Sequence, residues 1–361
     1  YSYTGVAANG EPTGLTPLGN RFYLNGEDGT TPDPRTVAAQ GLKAYYQDEY
    51  ILGFDKTIGN DWAYGAKLTM RKLKSSIDDF CDSRPFEKYA ARNNIDISNA
   101  SIAGCYLFNP GQSNTFMVDV NGQGNFVPFK LTKDDFTTPA GVAFPDLKRK
   151  YYSLDLYLEH QFSNRWYGRV DYTFSRSYGN SEGQLKSDIG QLDPSVTQDW
   201  DAPEIMQFTN GPLPNDRTHQ LKAYGYFQMN PEWLFGANLA VASGRPKNCI
   251  GVDPVDAIGY GASYFECDLQ PSPRGSQGRL PWTWRLDLNT EYRPAWADHK
   301  LAFTANVFNV FGSQKETAII EVAETGSIAA GKPIKSDDYR RAVAYQTPRY
   351  FQFGVRYDFS L

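Results

Sequence analysis

Four cysteines are the residues of this sequence with the most distinctive chemistry. They can pair in three ways, and pairing Cys81 with Cys105 and Cys249 with Cys267 would close rings of about 25 and 19 residues. A metal site is the alternative, but the sequence lacks a Cys-x-x-Cys spacing and has no histidine near any cysteine. The choice between them depends on where the segments that carry the cysteines lie.

The remaining residues with catalytic or metal-binding chemistry are isolated. His160, His219 and His299 lie near different predicted strands, without the nearby nucleophile and orienting acid that catalysis requires. Asp253 and Asp256 could contact calcium, but they lack the dense oxygen-ligand spacing of a calcium loop. No glycine-rich phosphate loop follows a strand and opens a helix. We therefore expect no enzyme activity, no cofactor and no metal, and polar or interfacial histidines.

Composition excludes several classes of protein. The 361 residues carry a formal charge of −5 and no run of Lys or Arg, so a nucleic-acid partner is not expected. No stretch reaches the roughly 20 apolar residues of a membrane-spanning helix. Aromatic residues make up 15% of the chain, which argues against intrinsic disorder.

Alternation of apolar and polar residues is the dominant pattern of the sequence. Near the C-terminus, Phe351, Phe353 and Val355 share one face, and Gln352 and Arg356 lie on the other. A period of two is typical of a strand with one apolar face. Such alternation predicts about nine strands. They lie near 46–58, 61–73, 150–163, 167–177, 218–229, 233–243, 282–292, 300–311 and 349–361.

The connections between the predicted strands are alternately short and long. The short connections contain only a few residues, such as Gly59 and Asn60 or Ser163 and Asn164. Outer-membrane barrels have tight periplasmic turns and long extracellular loops, whereas a soluble domain rarely carries four long structureless loops. The long connections are 76–149, 179–217, 245–281 and 313–346.

Tryptophans mark both ends of the strands. Trp62, Trp166, Trp233 and Trp296 lie at or just after a short turn, and Trp282 lies at the opposite end of its strand. Two aromatic bands are typical of a membrane's two interfaces. The alternative is that these tryptophans cap the core of a soluble β-sandwich. The polar, charged faces opposite apolar ones favour the membrane, so we predict an all-β protein, a transmembrane antiparallel β-barrel.

Charged residues on the polar faces of the strands are expected to point into the barrel lumen. In hydrocarbon each would cost a few kcal/mol near the midplane. We expect most of them to pair with one another and with a plug inside the barrel, and direct substrate contact is the alternative. The lumen-facing candidates are Lys67, Arg71, Asp155, Arg169, Asp171, Lys222, Arg285 and Asp287.

Four stretches of the sequence resemble TonB-dependent outer-membrane receptors. Tyr345–Phe359 (YQTPRYFQFGVRYDF) resembles the final strand of that family, and Asn306–Phe311 (NVFNVF) resembles its penultimate strand. Asn210–Lys222 (NGPLPNDRTHQLK) and Gly278–Trp282 (GRLPW) resemble strand entries of the Oar-like branch. The resemblance extends from about residue 31 onward and is specific in the strands and weak in the loops.

This resemblance implies the C-terminal portion of a larger barrel of about 22 strands that a plug domain fills. Residues 1–45 then form an extracellular loop segment and 46–361 the C-terminal barrel strands, with the plug absent from this chain. Because the predicted strand number is odd and open edges are not viable in lipid, we expect strands upstream to complete the barrel. One departure is the ending, where Ser360 and Leu361 follow Phe359 although the family usually finishes on an aromatic residue.

The resemblance also implies a function. It indicates an active transporter or receptor that takes up a scarce substrate across the outer membrane of a Gram-negative bacterium. The implied partners are outer-membrane lipid, the N-terminal barrel strands and plug, the TonB complex through the missing N-terminal part, and an unknown ligand. The alternative is a surface adhesin or interaction protein for which the barrel is only an anchor.

The long loops carry the remaining candidates. An oxidising exterior favours disulfides, so we predict the bonds Cys81–Cys105 and Cys249–Cys267, each within one loop. Aromatic residues of these loops could contact ligand, or they could pack the loops into a cap. They are Tyr106, Phe108, Phe116, Trp200, Tyr264 and Phe265.

Overall fold

A sheet of long antiparallel strands dominates the computed structural model, which describes residues 2–16, 33–191 and 193–359. Each strand is hydrogen-bonded to its neighbours in sequence, so the chain runs up and down across the sheet. The strands are β1 (Tyr46–Ile58), β2 (Trp62–Ser75), β3 (Arg149–Ser163), β4 (Trp166–Gly179), β5 (His219–Gln228), β6 (Trp233–Ala242), β7 (Thr283–Tyr292), β8 (Leu301–Phe308) and β9 (Tyr350–Tyr357).

These bounds confirm the predicted strands to within a few residues. The largest differences are at the ends of β8 and β9. Strand β8 ends at Phe308 because Asn309 adopts a φ of 51° and turns the chain away from the sheet. Strand β9 ends at Tyr357, and Ser360 and Leu361, at the end of the predicted strand, lie outside the described residues.

The sheet is open. Strands β1 and β9 lie at its two edges, and within the described residues each has one neighbour, β2 and β8 respectively. The outer edges of β1 and β9 therefore present backbone groups that no described strand pairs.

The long connections are folded, which corrects the expectation that they are structureless. A helix, α1 (Arg84–Asn93), begins with proline in its first turn and ends where Asn94 adopts a φ of 54°. It is only 10 residues long, so its apolar positions, among them the buried Phe86 and Ala90, were too few to stand out as a helical period.

Short strands pair within these connections and within the first residues of the chain. The pairs are Gly5–Val6 with Pro12–Thr13, Asp78–Phe80 with Tyr106–Phe108, Asn114–Asp119 with Phe126–Leu131, Glu266–Cys267 with Gln270–Pro271, Glu316–Ile319 with Ala342–Tyr345, and Glu324–Ala329 with Lys332–Lys335. Gly211–Pro212 pairs antiparallel with the end of β4, and three 3₁₀ turns lie at Pro34–Thr36, Ser187–Ile189 and Ala295–Ala297.

Nearly all of the buried hydrophobic residues lie in the connections, and those in the sheet are Leu73 of β2 and Ala302 of β8. We call the four long connections, residues 76–148, 180–218, 243–282 and 309–349, the loop cap. Its largest cluster packs Phe80, Phe86 and Phe116 of the first connection around one another, with ring centroids 5.2 to 6.3 Å apart. Trp200 of the second connection joins this cluster through Phe144, at 5.6 Å. The first two connections therefore share one core.

Candidate functional site

The eight charged residues predicted to face the lumen lie on one face of the sheet. Residues directly opposed in an antiparallel pair point to the same side. Lys67 is opposed to Asp155, and Asp171 is opposed to Lys222. Alternation along each strand places the others on this same polar face. The apolar residues Leu154, Leu156, Leu286, Leu288, Phe353 and Val355 lie on the opposite face.

A cavity of about 810 Å³ lies against the polar face. Arg169 crosses it, 2.9 Å from a carboxylate oxygen of Glu159 and 2.8 Å from one of Asp171, with its guanidinium 4.3 Å from the Tyr157 ring. Tyr157 in turn donates a 2.6 Å hydrogen bond to Asp55. The cavity wall is therefore a network of paired charges held in place by aromatic and hydroxyl groups.

Most of the predicted lumen residues take part in such pairs. Thr173 donates a 2.6 Å hydrogen bond to Asp155, whose other oxygen lies 3.7 Å from Lys67. Arg285 lies 3.0 Å from Asp287, which also accepts a hydrogen bond from the backbone of Asn309. Arg71 pairs with Glu49. This placement supports the interpretation that the charges pair with one another.

Lys222 differs from the other seven. It lines the cavity, yet within the described part of the chain its ammonium group makes no ion pair. A compact cation with open hydrogen-bond donors is the polar-face group best suited to receive an anionic or carbonyl oxygen from outside this sheet.

A second polar cavity of about 430 Å³ lies where the strands meet the loop cap. Arg71, which lines this cavity, was predicted to face the lumen, but the other lining residues were not singled out from the sequence. The alternation of the sequence could have identified them, because most of them lie at polar-face positions of their strands. They are Gln47, Arg149, Tyr151, Ser175, Ser177, Asn215 and Gln220.

The six loop aromatics proposed as ligand contacts are all buried, and this corrects that hypothesis. Trp200, Phe116 and Phe265 have no exposed surface, and Tyr106, Phe108 and Tyr264 have at most 2%. Buried rings offer no surface to a ligand. Their role is the other one considered, to pack the connections into a cap, because burying a large ring is among the strongest contributions to a core.

Buried carboxyl groups join the connections of the loop cap. Asp78 accepts hydrogen bonds from Thr197, and Tyr260 donates a 2.6 Å hydrogen bond to Asp201. Burial raises the pKa of Asp78 and that of Asp201 to about 8, and it raises the pKa of Asp79 to about 6. Burial therefore makes these carboxyls bind a proton more readily than an exposed aspartate does.

Both predicted disulfides are present. The Cys81–Cys105 and Cys249–Cys267 bonds lie within the first and third connections, as expected. Asp79 lies beside the first of them, and this is the one group in the described ranges with the spacing of a three-ligand metal site. Its two sulfurs are bonded to each other, so they do not bind metal as thiolates.

The isolated histidines and acids have structural partners. His160 stacks on Trp166, with ring centroids 3.6 Å apart, and Trp62 contacts it edge-to-face at 4.7 Å. His219 stacks on Trp282. His299 contacts a backbone oxygen of its own turn.

Asp253 and Asp256 accept hydrogen bonds from their own loop. Asp253 accepts from two backbone N–H groups, and Asp256 accepts from the backbone of Tyr260 and from the hydroxyl of Tyr264. This arrangement fits the expected loop better than a calcium site, because the donors of the loop occupy the carboxylates.

Among the described residues, no helix has the length and apolar character needed to cross a membrane. No family model matches the sequence. The chain is 27% identical over 376 residues to the TonB-dependent transporter Oar of Myxococcus xanthus, a match that covers 94% of this chain and 30% of the relative.

Two of the solved structures with a similar arrangement of strands are described by their coverage and identity. The outer-membrane transporter YddB of Escherichia coli has a TM-score of 0.48 at 16% identity, covering 89% of this chain and 34% of that one. FpvA of P. aeruginosa, bound to a heterologous pyoverdine, has a TM-score of 0.43 at 12% identity, covering 91% and 29%.

The strand pattern and the similarity to Oar together define a class of protein, the outer-membrane β-barrels of Gram-negative bacteria. Within that class, the resemblance to TonB-dependent receptors of the Oar-like branch is confirmed. The chain spans about a third of the length of that relative.

Proposed function

We propose that this chain forms part of the barrel and the loop cap of an active outer-membrane transporter. The observation that carries the proposal is the polar face with its two cavities, one of which lies directly beneath the folded loop cap. A ligand admitted by the cap would meet the arginines of the upper cavity first and Lys222 further in. The similarity to a TonB-dependent transporter supports uptake driven from the inner membrane.

In this function the chain would work together with further barrel strands, a plug domain and the TonB complex. The free edges of β1 and β9 would pair with further strands of a larger barrel, since unpaired backbone groups in lipid cost several kcal/mol each. A plug domain would lie against the polar face, and the TonB complex would act on that plug. Residues 33–45 would belong to the extracellular side, because Ala39 and Gln40 hydrogen-bond to the first connection.

Nutrient depletion by intact cells tests this function. Wild-type cells, cells without this protein and cells without the TonB motor are grown in a defined medium, and mass spectrometry follows which compounds disappear. A transporter predicts at least one compound whose depletion requires both the protein and the motor.

The adhesin alternative predicts a different result. In that case no compound requires this protein for its depletion, and attachment to a surface is lost in the strain without the protein but not in the strain without the motor. The observation that favours this alternative is the folded cap, whose buried aromatic core would hold an outer surface for a partner.

A further inference from the structure

A lysine and an aspartate of the second connection meet in the interior of the loop cap. Lys186 has no exposed surface and Asp199 is 3% exposed. The Nζ atom of Lys186 lies 2.9 Å from Oδ1 of Asp199. The contact does not have the angles of a hydrogen bond, and neither atom makes a hydrogen bond to any other residue that the structure describes.

This pair is poorly satisfied as an ion pair. A buried charge pair is stable only when further hydrogen bonds satisfy its remaining protons and lone pairs. The ammonium group of Lys186 has three donors, and it lies 5.8 Å from the centroid of the Phe265 ring. Arg274, also buried, binds Asp188 at 2.5 Å and lies 3.5 Å from the second oxygen of Asp199.

We propose that Lys186 and Asp199 form an amide cross-link between their side chains. A primary amine held against a carboxyl group in a dry interior gains the large rate advantage of an intramolecular reaction. The Nζ–Cγ bond forms, one carboxyl oxygen leaves, and two hydrogens of the ammonium group leave with it as water. The reaction needs no oxidant or other reagent, and it replaces two buried charges with one neutral amide.

Neighbouring groups are suited to assist this reaction. The Arg274 guanidinium lies beside Oδ2 of Asp199, where negative charge would develop as the amine attacks the carboxyl carbon. Asp188, 2.5 Å from the same guanidinium, holds Arg274 in this position.

Peptide mapping of the protein purified from outer membranes tests the cross-link. Trypsin cleaves after a free lysine but not after an acylated one. The tryptic peptides 177–186 and 187–217 should therefore remain joined as one species, about 18 Da lighter than the intact linear sequence because one water is lost. Fragmentation should produce no breaks between Lys186 and Asp199.

Three controls keep the result decisive. Lys186→Arg and Asp199→Ala should both restore the full mass. Lys335 is an internal control, since it lies 3.0 Å from Glu324 but its side chain is 51% exposed, and it should be cleaved normally. The peptide map of the wild-type protein tests the cross-link by itself, even if a variant misfolds. The proposal is overturned if most molecules are cleaved after Lys186 and both peptides have unmodified masses.

Discussion

The hydroxyl group of Tyr260 donates a 2.6 Å hydrogen bond to Oδ2 of Asp201, and this contact joins the third connection to the second. Asp201 also lies close to Asp79 of the first connection, and the two carboxyls influence each other's protonation. Three connections therefore meet at one buried acid. The stability of the loop cap should depend on whether that acid is protonated.

The sign of this pH dependence follows from the direction of the pKa shifts. The pKa of Asp201 is raised from 3.8 to about 8, chiefly by burial and next by the charge of Asp79. The folded cap then binds the proton more tightly than the unfolded chain does, so its stability falls as the pH rises from about 4 to about 8. Hydrogen exchange of the cap, corrected for intrinsic rates, should show more protection at pH 5 than at pH 8.

Asp201→Asn should weaken this pH dependence, because an amide does not titrate. Asp298→Asn, in an exposed short turn outside the cap, is the matched control and should leave it unchanged. Equal protection at both pH values in the wild-type protein would contradict the prediction.

Replacing Phe116 tests how much the aromatic core stabilises the loop cap. Its ring has no exposed surface and lies 5.2 Å from that of Phe86 and 5.3 Å from that of Tyr106. Phe116→Ala should destabilise the loop cap by about 3–5 kcal/mol, as expected for a large ring removed from a packed core. Urea titration followed by limited proteolysis measures the change. Leu185→Ala, at an exposed position of the cap, should cost much less.

The two faces of the sheet predict opposite responses to charge. Leu286 lies on the apolar face, and Leu286→Arg should impair assembly by about 2–4 kcal/mol if that face meets lipid. Lys222 lies at a similar height, since Ala240 pairs with both Lys222 and Arg285, the residue before Leu286. Lys222→Leu should be tolerated. The folded fraction is measured by heat-modifiable mobility on gels.

Asp287, next to Leu286 in sequence, would be a less suitable polar-face control than Lys222. It is 8% exposed, pairs with Arg285 and accepts a hydrogen bond from the backbone of Asn309. Its replacement would therefore disturb the structure whichever face of the sheet meets lipid. Tolerance of Leu286→Arg together with loss of assembly in Lys222→Leu would show that the faces are inverted.

The open edges of the sheet lead to a prediction about assembly. These 361 residues, exported alone, should not form a closed barrel, because β1 and β9 would each leave one row of backbone groups without partners. We expect no heat-modifiable folded species from this segment. In the whole protein, the outer backbone amides of β1 should be protected from exchange. A structure in which β1 and β9 hydrogen-bond to each other would contradict the prediction.

The strands and the two faces of the sheet were predictable from the sequence. Their side chains alternate with a period of two, and a shift of one residue would invert every side chain, so the pattern itself carries the information. This is why all nine strands, and the common face of residues as distant as Lys67 and Asp287, follow from local sequence. The two disulfides follow from placing each pair of cysteines in one connection.

Which residues of the loop cap are buried, and which of them meet, was decided by the tertiary structure alone. Its residues follow no period, so nothing in the sequence distinguishes a buried Trp200 from an exposed ligand contact, and helix α1 is too short to register. The same holds for Lys186 and Asp199, which local sequence does not mark as buried or adjacent. Their environment is created by Arg274 and Phe265 of another connection, and contacts between segments distant in sequence become visible only when the chain is folded.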